Sequence, residues 1–320
     1  MRRLSNIVLY KDMQGREIST PVLRVGSGSP HVVMVALQHG WEVIGLDTAL
    51  RVLQDARPMG TLTLISVASP MAYQERTRLT GQQLGPSSGQ QVNMNRIHPG
   101  RPHGNIAERS AWAIDKFIQS LQPDAIIDLH SYASQSMPHG IVDPCPLMLR
   151  QRIEHWMKDS AICWYREYDP EVLNKQTLNH ALSAIWIRRD IPAITLELGP
   201  LNAFSPEQSR CAQQALKNVL VAIGAIEGSV VSQVSENMRA SIWQRSEIVY
   251  RGKETGYFRP LVSVSEQVLK NQVLAEVVAP SGEIVDTIRA TSGGLHFIWH
   301  DDYRVFPGSV IGVQLIKNDS

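Results

Sequence analysis

The sequence predicts an α/β protein, a mostly parallel mixed sheet flanked by helices, with a small all-β domain behind it. Three observations predict it. Short β runs alternate with helical stretches from residue 31 to residue 226. The first run is nearly continuous in apolar residues, as expected of a strand covered on both faces. After about residue 229 the pattern changes to brief β runs separated by Gly and Pro turns.

The elements follow in order. His31-Val32-Val33-Met34-Val35-Ala36-Leu37 is the first buried strand, and Val43, Leu46, Ala49, Leu50 and Leu53 recur behind it at helical spacing until Pro58. Thr61–Ala68 is a second strand, closed by Ser69-Pro70, and the polar stretch 81–91 reads as an exposed loop. A helix over 105–121 starts with Asn105 as N-cap and Glu108 three residues on, the sequence signature of a capping box. Ala125–Leu129 is the third strand, residues 176–189 read as a helix, Ala193–Leu198 is the fourth strand and residues 206–226 form a long closing helix. Val262-Ser263-Val264, Val273–Val278, Ile284–Ile288 and Val310–Leu315 are the β runs of the second part. The expected domains are 1–230 and 231–320.

Composition narrows the function classes. With 31 Lys+Arg against 30 Asp+Glu in 320 residues, the chain has no polybasic balance for nucleic acid and no acidic tail. No apolar run approaches the roughly 18–20 residues of a membrane span. Lys11, Asp12, Arg16 and Glu17 interrupt any apolar segment behind the two N-terminal arginines, so no secretory leader is expected. Cys145, Cys163 and Cys211 show no C-x-x-C spacing, which fits a reducing cytosol. A soluble cytoplasmic protein is the expectation.

Chemistry concentrates at strand ends. His39-Gly40-Trp41-Glu42 follows the first strand, Asp128-Leu129-His130 ends the third, and Glu197 ends the fourth. In an open α/β sheet, ligands bind outside the carboxyl ends of the strands, so these residues reach one edge. Two imidazoles and a carboxylate hold a divalent ion and leave a position open, the layout of a catalytic zinc. Glu197, inside an apolar run, needs a partner or a function because burying an unpaired charge is costly. Asp128 shares a strand face with His130 and either orients that ligand or pairs with an Arg. Arg76 and Arg78 follow the second strand, and Asn95-Arg96 precedes a Pro-Gly turn; guanidinium groups there suit a carboxylate or a developing oxyanion.

The strings HGWE, SPMAYQERTR, NMNRIHPG, DLH and TLELG, in this order, resemble the succinylglutamate desuccinylase/aspartoacylase family of the zinc carboxypeptidase clan, over about residues 25–225. The resemblance implies a zinc carboxypeptidase-like catalytic domain that cleaves the amide of a small N-acyl amino acid or related compound. It implies one Zn²⁺ per chain held by His39, Glu42 and His130, with Glu197 as the catalytic carboxylate. Arg78 would polarise the scissile carbonyl, Arg76 being the weaker candidate, and Asn95 and Arg96 would grip a substrate carboxylate. Three positions depart from the family pattern: Asn93 stands where Asp is usual, Ser69 where Asn is usual, and His98 where Phe is usual. Tyr165, Arg166 and Tyr168 lie where substrate-side residues are sought but match no motif.

Residues 277–285 look like a hairpin of a biotinyl/lipoyl-type half-barrel without a Met-Lys dipeptide, so no covalent cofactor is expected. The β domain is expected to cap the site, with Tyr303 as a residue that could face it, or to form an interface in a homo-oligomer. The competing readings are a metallocarboxypeptidase acting on peptides and a non-catalytic metal-binding protein.

Overall fold

Five residues, His31–Val35, form an inner strand of the parallel part of the sheet, and all five are buried because both faces of the strand are covered. The computed structural model describes residues 2–81, 91–132, 135–136, 138–166, 178–199, 205–232, 243–300 and 303–317. The strands of the first part are β1 (Arg2–Lys11), β2 (Glu17–Gly26), β3 (His31–Val35), β4 (Thr61–Ile65), β5 (Ala125–His130), β6 (Gln135–Ser136), β7 (His139–Val142), β8 (Cys163–Arg166) and β9 (Ala193–Glu197). The helices are α1 (Val43–Asp55), α2 (Pro70–Glu75), α3 (Ile106–Leu121), α4 (Leu147–Asp159), α5 (Leu182–Ile187) and α6 (Pro206–Ile223). The second part is all β: β10 (Trp243–Arg251), β11 (Gly256–Pro260), β12 (Gln267–Val268), β13 (Val273–Val278), β14 (Ile284–Arg289), β15 (Gly294–Trp299), β16 (Arg304–Val305) and β17 (Val310–Lys317).

The large sheet runs β1-β2-β4-β3-β5-β9-β7-β8-β10-β17-β15-β12, and its core β4-β3-β5-β9 is parallel. The chain leaves β3 for β4 on one side and returns to β5 on the other. This reversal makes a crevice at the carboxyl ends of β3 and β5, the place where open α/β sheets bind ligands. His39 follows β3 and His130 ends β5, so topology alone brings them to the same crevice.

Local chemistry supports the elements. Asn105 accepts the Glu108 N–H and Glu108 accepts the Asn105 N–H, each at 2.9 Å, a capping box worth about 1 kcal/mol to α3. The expected helix over 176–189 is instead a 3₁₀ turn at Leu178–His180 and the short α5, with 176–177 outside the described residues. Tertiary bonds interrupt it. The Leu182 N–H donates to Asn95 Oδ1 and the His180 carbonyl accepts the His98 N–H, so neither is left for a continuous helix. Residues 262–264 form no strand, while β10, β11 and β15 add strands the sequence left unread. The loop over 81–91 lies almost wholly outside the described residues.

The second part has its own apolar cluster, including Phe258, Leu274, Trp299 and Ile311. Its strands β10, β17, β15 and β12 nevertheless extend the large sheet, through β10 beside β8, while β14-β13-β11-β16 form a separate sheet. β15 also pairs with β6, five residues beyond the end of β5, which brings the second part close to the crevice. Tyr303 stacks on Phe258 with ring centroids 4.7 Å apart. No helix among the described residues is long and apolar enough to cross a membrane.

His296 lies inside this unit at 0% exposure, its ring 3.9 Å from that of Trp299, and neither ring nitrogen has a hydrogen-bond partner among the described residues. Burial pushes its pKa down to about 4. The unfolded imidazole titrates near 6.5, so the unfolded state binds more protons between these values. Stability is therefore full above pH about 6.5 and is lost as pH falls through 4, by about 3 kcal/mol from this group. His296→Leu is expected to flatten the fall of Tm between pH 6.5 and 4; an unchanged profile counts against the assignment.

Candidate metal centre

The loop after β3 turns at Leu37, a fully buried residue with a left-handed φ of 55°, whose carbonyl accepts the Ser69 N–H at 2.9 Å. A non-glycine residue held there signals backbone strain at a site that over-determines it. Gly40 follows for a steric reason: a Cβ on it would stand 2.1 Å from the Ala72 carbonyl carbon of α2. Its N–H donates to the Arg78 carbonyl at 3.4 Å, tying the HGWE loop to the segment that carries Arg78.

His39, Glu42 and His130 are all buried, and one ligand atom from each lies within 4.8 Å of the others. Glu42 Oε1 is 2.7 Å from His39 Nδ1 and Oε2 is 2.7 Å from His130 Nδ1; Oε2 also accepts the Ser131 N–H at 3.2 Å. Burial opposes the Glu42 charge, yet the two imidazoles hold its carboxyl well below the usual range. Burial likewise opposes a charge on His130, while Asp128 and Glu42 raise its pKa well above the ordinary imidazole value. A carboxylate between two Nδ1 atoms, shielded from water, is a donor set that fits a divalent ion such as zinc.

The outer nitrogens are oriented by neighbours. Asn93 Oδ1 accepts the Asn95 backbone N–H at 3.0 Å, which identifies it as the oxygen. His39 Nε2, 3.0 Å from that oxygen, is then an N–H nitrogen. His130 Nε2 lies 3.0 Å from Asp128 Oδ2 and 2.9 Å from Asn95 Nδ2. Asp128 thus faces a histidine, and among the described residues no Arg forms an ion pair with it.

Glu197 sits in register with His130 on the adjacent parallel strand and with His139 on the antiparallel one. It is 8% exposed and its Oε2 has no hydrogen-bond partner among the described residues. Burial pushes its carboxyl up to about 8 against the pull of His130 and Arg78, with Glu42 and Asp128 adding to the rise. Arg96 is held low by burial and by Arg78, and its Nη1 donates to the Asn95 carbonyl at 2.6 Å. Arg78, Arg96, Asp128 and Glu197 therefore share one electrostatic neighbourhood, whereas Arg76 is exposed at the end of α2. The Asn95 amide is engaged by Leu182 and His130. Tyr165 is buried and stacks on His139 at 5.8 Å; Tyr168 and the Arg166 side chain lie outside the described residues. Gln38, His139 and the orienting role of Asn93 were not read from the sequence, where single polar residues carry no spacing signal.

A sheet with its polar, metal-competent crevice at the β3/β5 reversal defines the architecture of the zinc carboxypeptidase-like hydrolases. The catalytic domain of succinylglutamate desuccinylase/aspartoacylase matches residues 29–223, and the chain belongs to that family. It is 26% identical over 305 residues to N-alpha-acetyl-L-2,4-diaminobutyric acid deacetylase of Halomonas elongata, covering 92% of this chain and 82% of that protein. The crystal structure of a succinylglutamate desuccinylase/aspartoacylase from Rhodobacter sphaeroides superimposes with a TM-score of 0.79 at 19% identity, covering 100% of this chain and 96% of the other. A metallo-carboxypeptidase from Burkholderia cenocepacia shares the fold more distantly, with a TM-score of 0.50 at 14% identity over 69% of this chain and 64% of its own.

Proposed function

We propose that this protein is a zinc-dependent deacylase that hydrolyses the amide bond of a small N-acyl amino acid or related N-acylated compound. The observation that carries the reading is the Glu42 carboxylate held 2.7 Å from both imidazole Nδ1 atoms, with Glu197 in register beside His130. Family membership and the likeness to a deacetylase of N-acetylated diaminobutyric acid support it.

His39, Glu42 and His130 would hold one zinc ion, which when bound supplies Lewis-acid polarisation of a carbonyl and lowers the pKa of water. Glu197 takes a proton from the attacking water and returns it to the leaving amine, a role its place in register beside His130 allows. Arg78 stabilises the charge that develops on the carbonyl oxygen, a contribution typically worth about 2.7–4 kcal/mol. Arg96 and Asn95 grip the substrate carboxylate; for Asn95 this requires its amide to exchange the His130 contact for substrate. Residues 231–320 are assigned as a domain that caps the crevice, consistent with the β15–β6 pairing.

The test is a metal assay followed by a substrate panel. Purified protein is expected to hold one zinc per chain, to lose activity with a chelator, and to regain it on zinc addition. N-acetyl and N-succinyl amino acids are expected to be cleaved, and peptides with free C-termini not. Preferential release of C-terminal residues from peptides would replace the deacylase by a carboxypeptidase. Absence of any zinc uptake would leave a binding protein without metal chemistry.

A further inference from the structure

Behind His130 runs a buried chain of side chains to which the reaction above gives no task. Gln38 Nε2 donates to Asp128 Oδ1 at 2.6 Å, and Gln38 Oε1 lies 2.7 Å from His98 Nε2. All three residues are at most 1% exposed. Their orientation has one solution. An ionised carboxylate only accepts, so Gln38 must present its NH₂ to Asp128 and its oxygen to His98, and His98 Nε2 must carry the proton. The His98 backbone is clamped as well: its N–H donates to the His180 carbonyl at 2.9 Å, and its own carbonyl faces His180 Nδ1 at 2.9 Å. With Oδ1 committed to Gln38, Asp128 has Oδ2 left at ion-pair distance, 3.0 Å, from His130 Nε2, without hydrogen-bond alignment, and the Asn95 and Gln38 amide nitrogens lie 2.9 and 3.5 Å from the same Nε2.

We propose that His98 and Gln38 are positioning residues for His130: together they hold the Asp128 carboxylate and the Gln38 amide against the Nε2 edge of the ring, so that Nδ1 is turned toward Glu42. The inference rests on the reading of His39, Glu42 and His130 as metal ligands. A neutral imidazole at His98 is what the chain requires for a single donor facing Gln38, and burial keeps that ring neutral with a pKa of about 4. His98 is one of the departures from the family pattern, and a phenylalanine in its place offers Gln38 no donor.

The experiment titrates metal-free wild type, His98→Phe, His98→Gln and Gln38→Met with zinc against a competing chelator, with Tm of each metal-free protein measured alongside. His98→Phe and Gln38→Met are expected to bind zinc about tenfold more weakly, the range seen when outer partners of a ligand histidine are lost. His98→Gln, which retains an N–H donor, is expected to stay within about threefold of wild type. A purely structural role would lower Tm in all three and leave zinc affinity alone, and that outcome overturns the proposal. Should His98→Phe fail to fold, Gln38→Met against His98→Gln decides by the same criterion. Wild type that takes up no zinc defeats the functional reading itself, which is distinguishable from variants that match a zinc-binding wild type.

Discussion

Glu197→Gln is expected to lower kcat by about 10²–10⁴-fold while leaving one zinc per chain and a nearly unchanged KM. The substitution keeps the shape of the side chain and removes its capacity to accept a proton. Glu197 is outside the trio of donor atoms, so metal content is expected to survive. The variant is also expected to fold, by a sign argument. The carboxyl is pushed from the ordinary 4.5 up to about 8 in the folded protein, mainly by burial. Its contribution to stability is therefore complete below pH about 4.5, falls as pH rises, and is lost above 8. Replacing it by a neutral amide removes that cost, so the metal-free variant is expected to be at least as stable as wild type at pH 8. Steady-state kinetics on an N-acetyl amino acid, metal analysis and Tm at pH 8 check the three parts. Near-normal turnover would remove Glu197 from proton transfer.

Much of this site was legible in sequence because strand ends are legible. The runs HVVMV and AIIDLH are buried along their whole length, so the polar residues that close or follow them stand out against apolar neighbours. The Asn105 and Glu108 pair marked the start of α3 for a similarly local reason. What was missed depends on distant partners. β1 is mostly exposed and belongs to the sheet only because β2 pairs with it, so RRLSNIVLYK shows little apolar alternation. The junction of β8 with β10 joins segments far apart in the chain, and no local pattern announces it. Gln38 and His98 looked like isolated polar residues. Their meaning lies in two hydrogen bonds spanning 90 and 60 positions of sequence.

Glu42→Gln separates the metal from the proton-transfer group, because it produces the same silence in activity by the opposite route. Both carboxylate oxygens of Glu42 are committed, one to His39 Nδ1 and the other to His130 Nδ1 and the Ser131 N–H. A glutamine offers one oxygen, and its NH₂ must then point at an imidazole nitrogen or at the Ser131 N–H. The site loses its anion and gains a donor where a lone pair is needed. Zinc affinity is expected to fall by more than about a hundredfold, beyond the effect of losing an outer partner. The metal-free protein also suffers, since the variant breaks a buried pair, a change that costs about 3–5 kcal/mol. Because the Glu42 carboxyl is held below its ordinary value, the stability it contributes is present above pH about 4.5 and is lost in acid. The Tm deficit of the variant is therefore expected to be largest near neutral pH and to shrink as pH falls below 4.5. Activity that returns on adding excess zinc marks a weakened site with intact chemistry, which is what distinguishes this variant from Glu197→Gln. Stoichiometric zinc at wild-type affinity in Glu42→Gln would show that the ion is held elsewhere, and the assignment of His39, Glu42 and His130 as its ligands would fall.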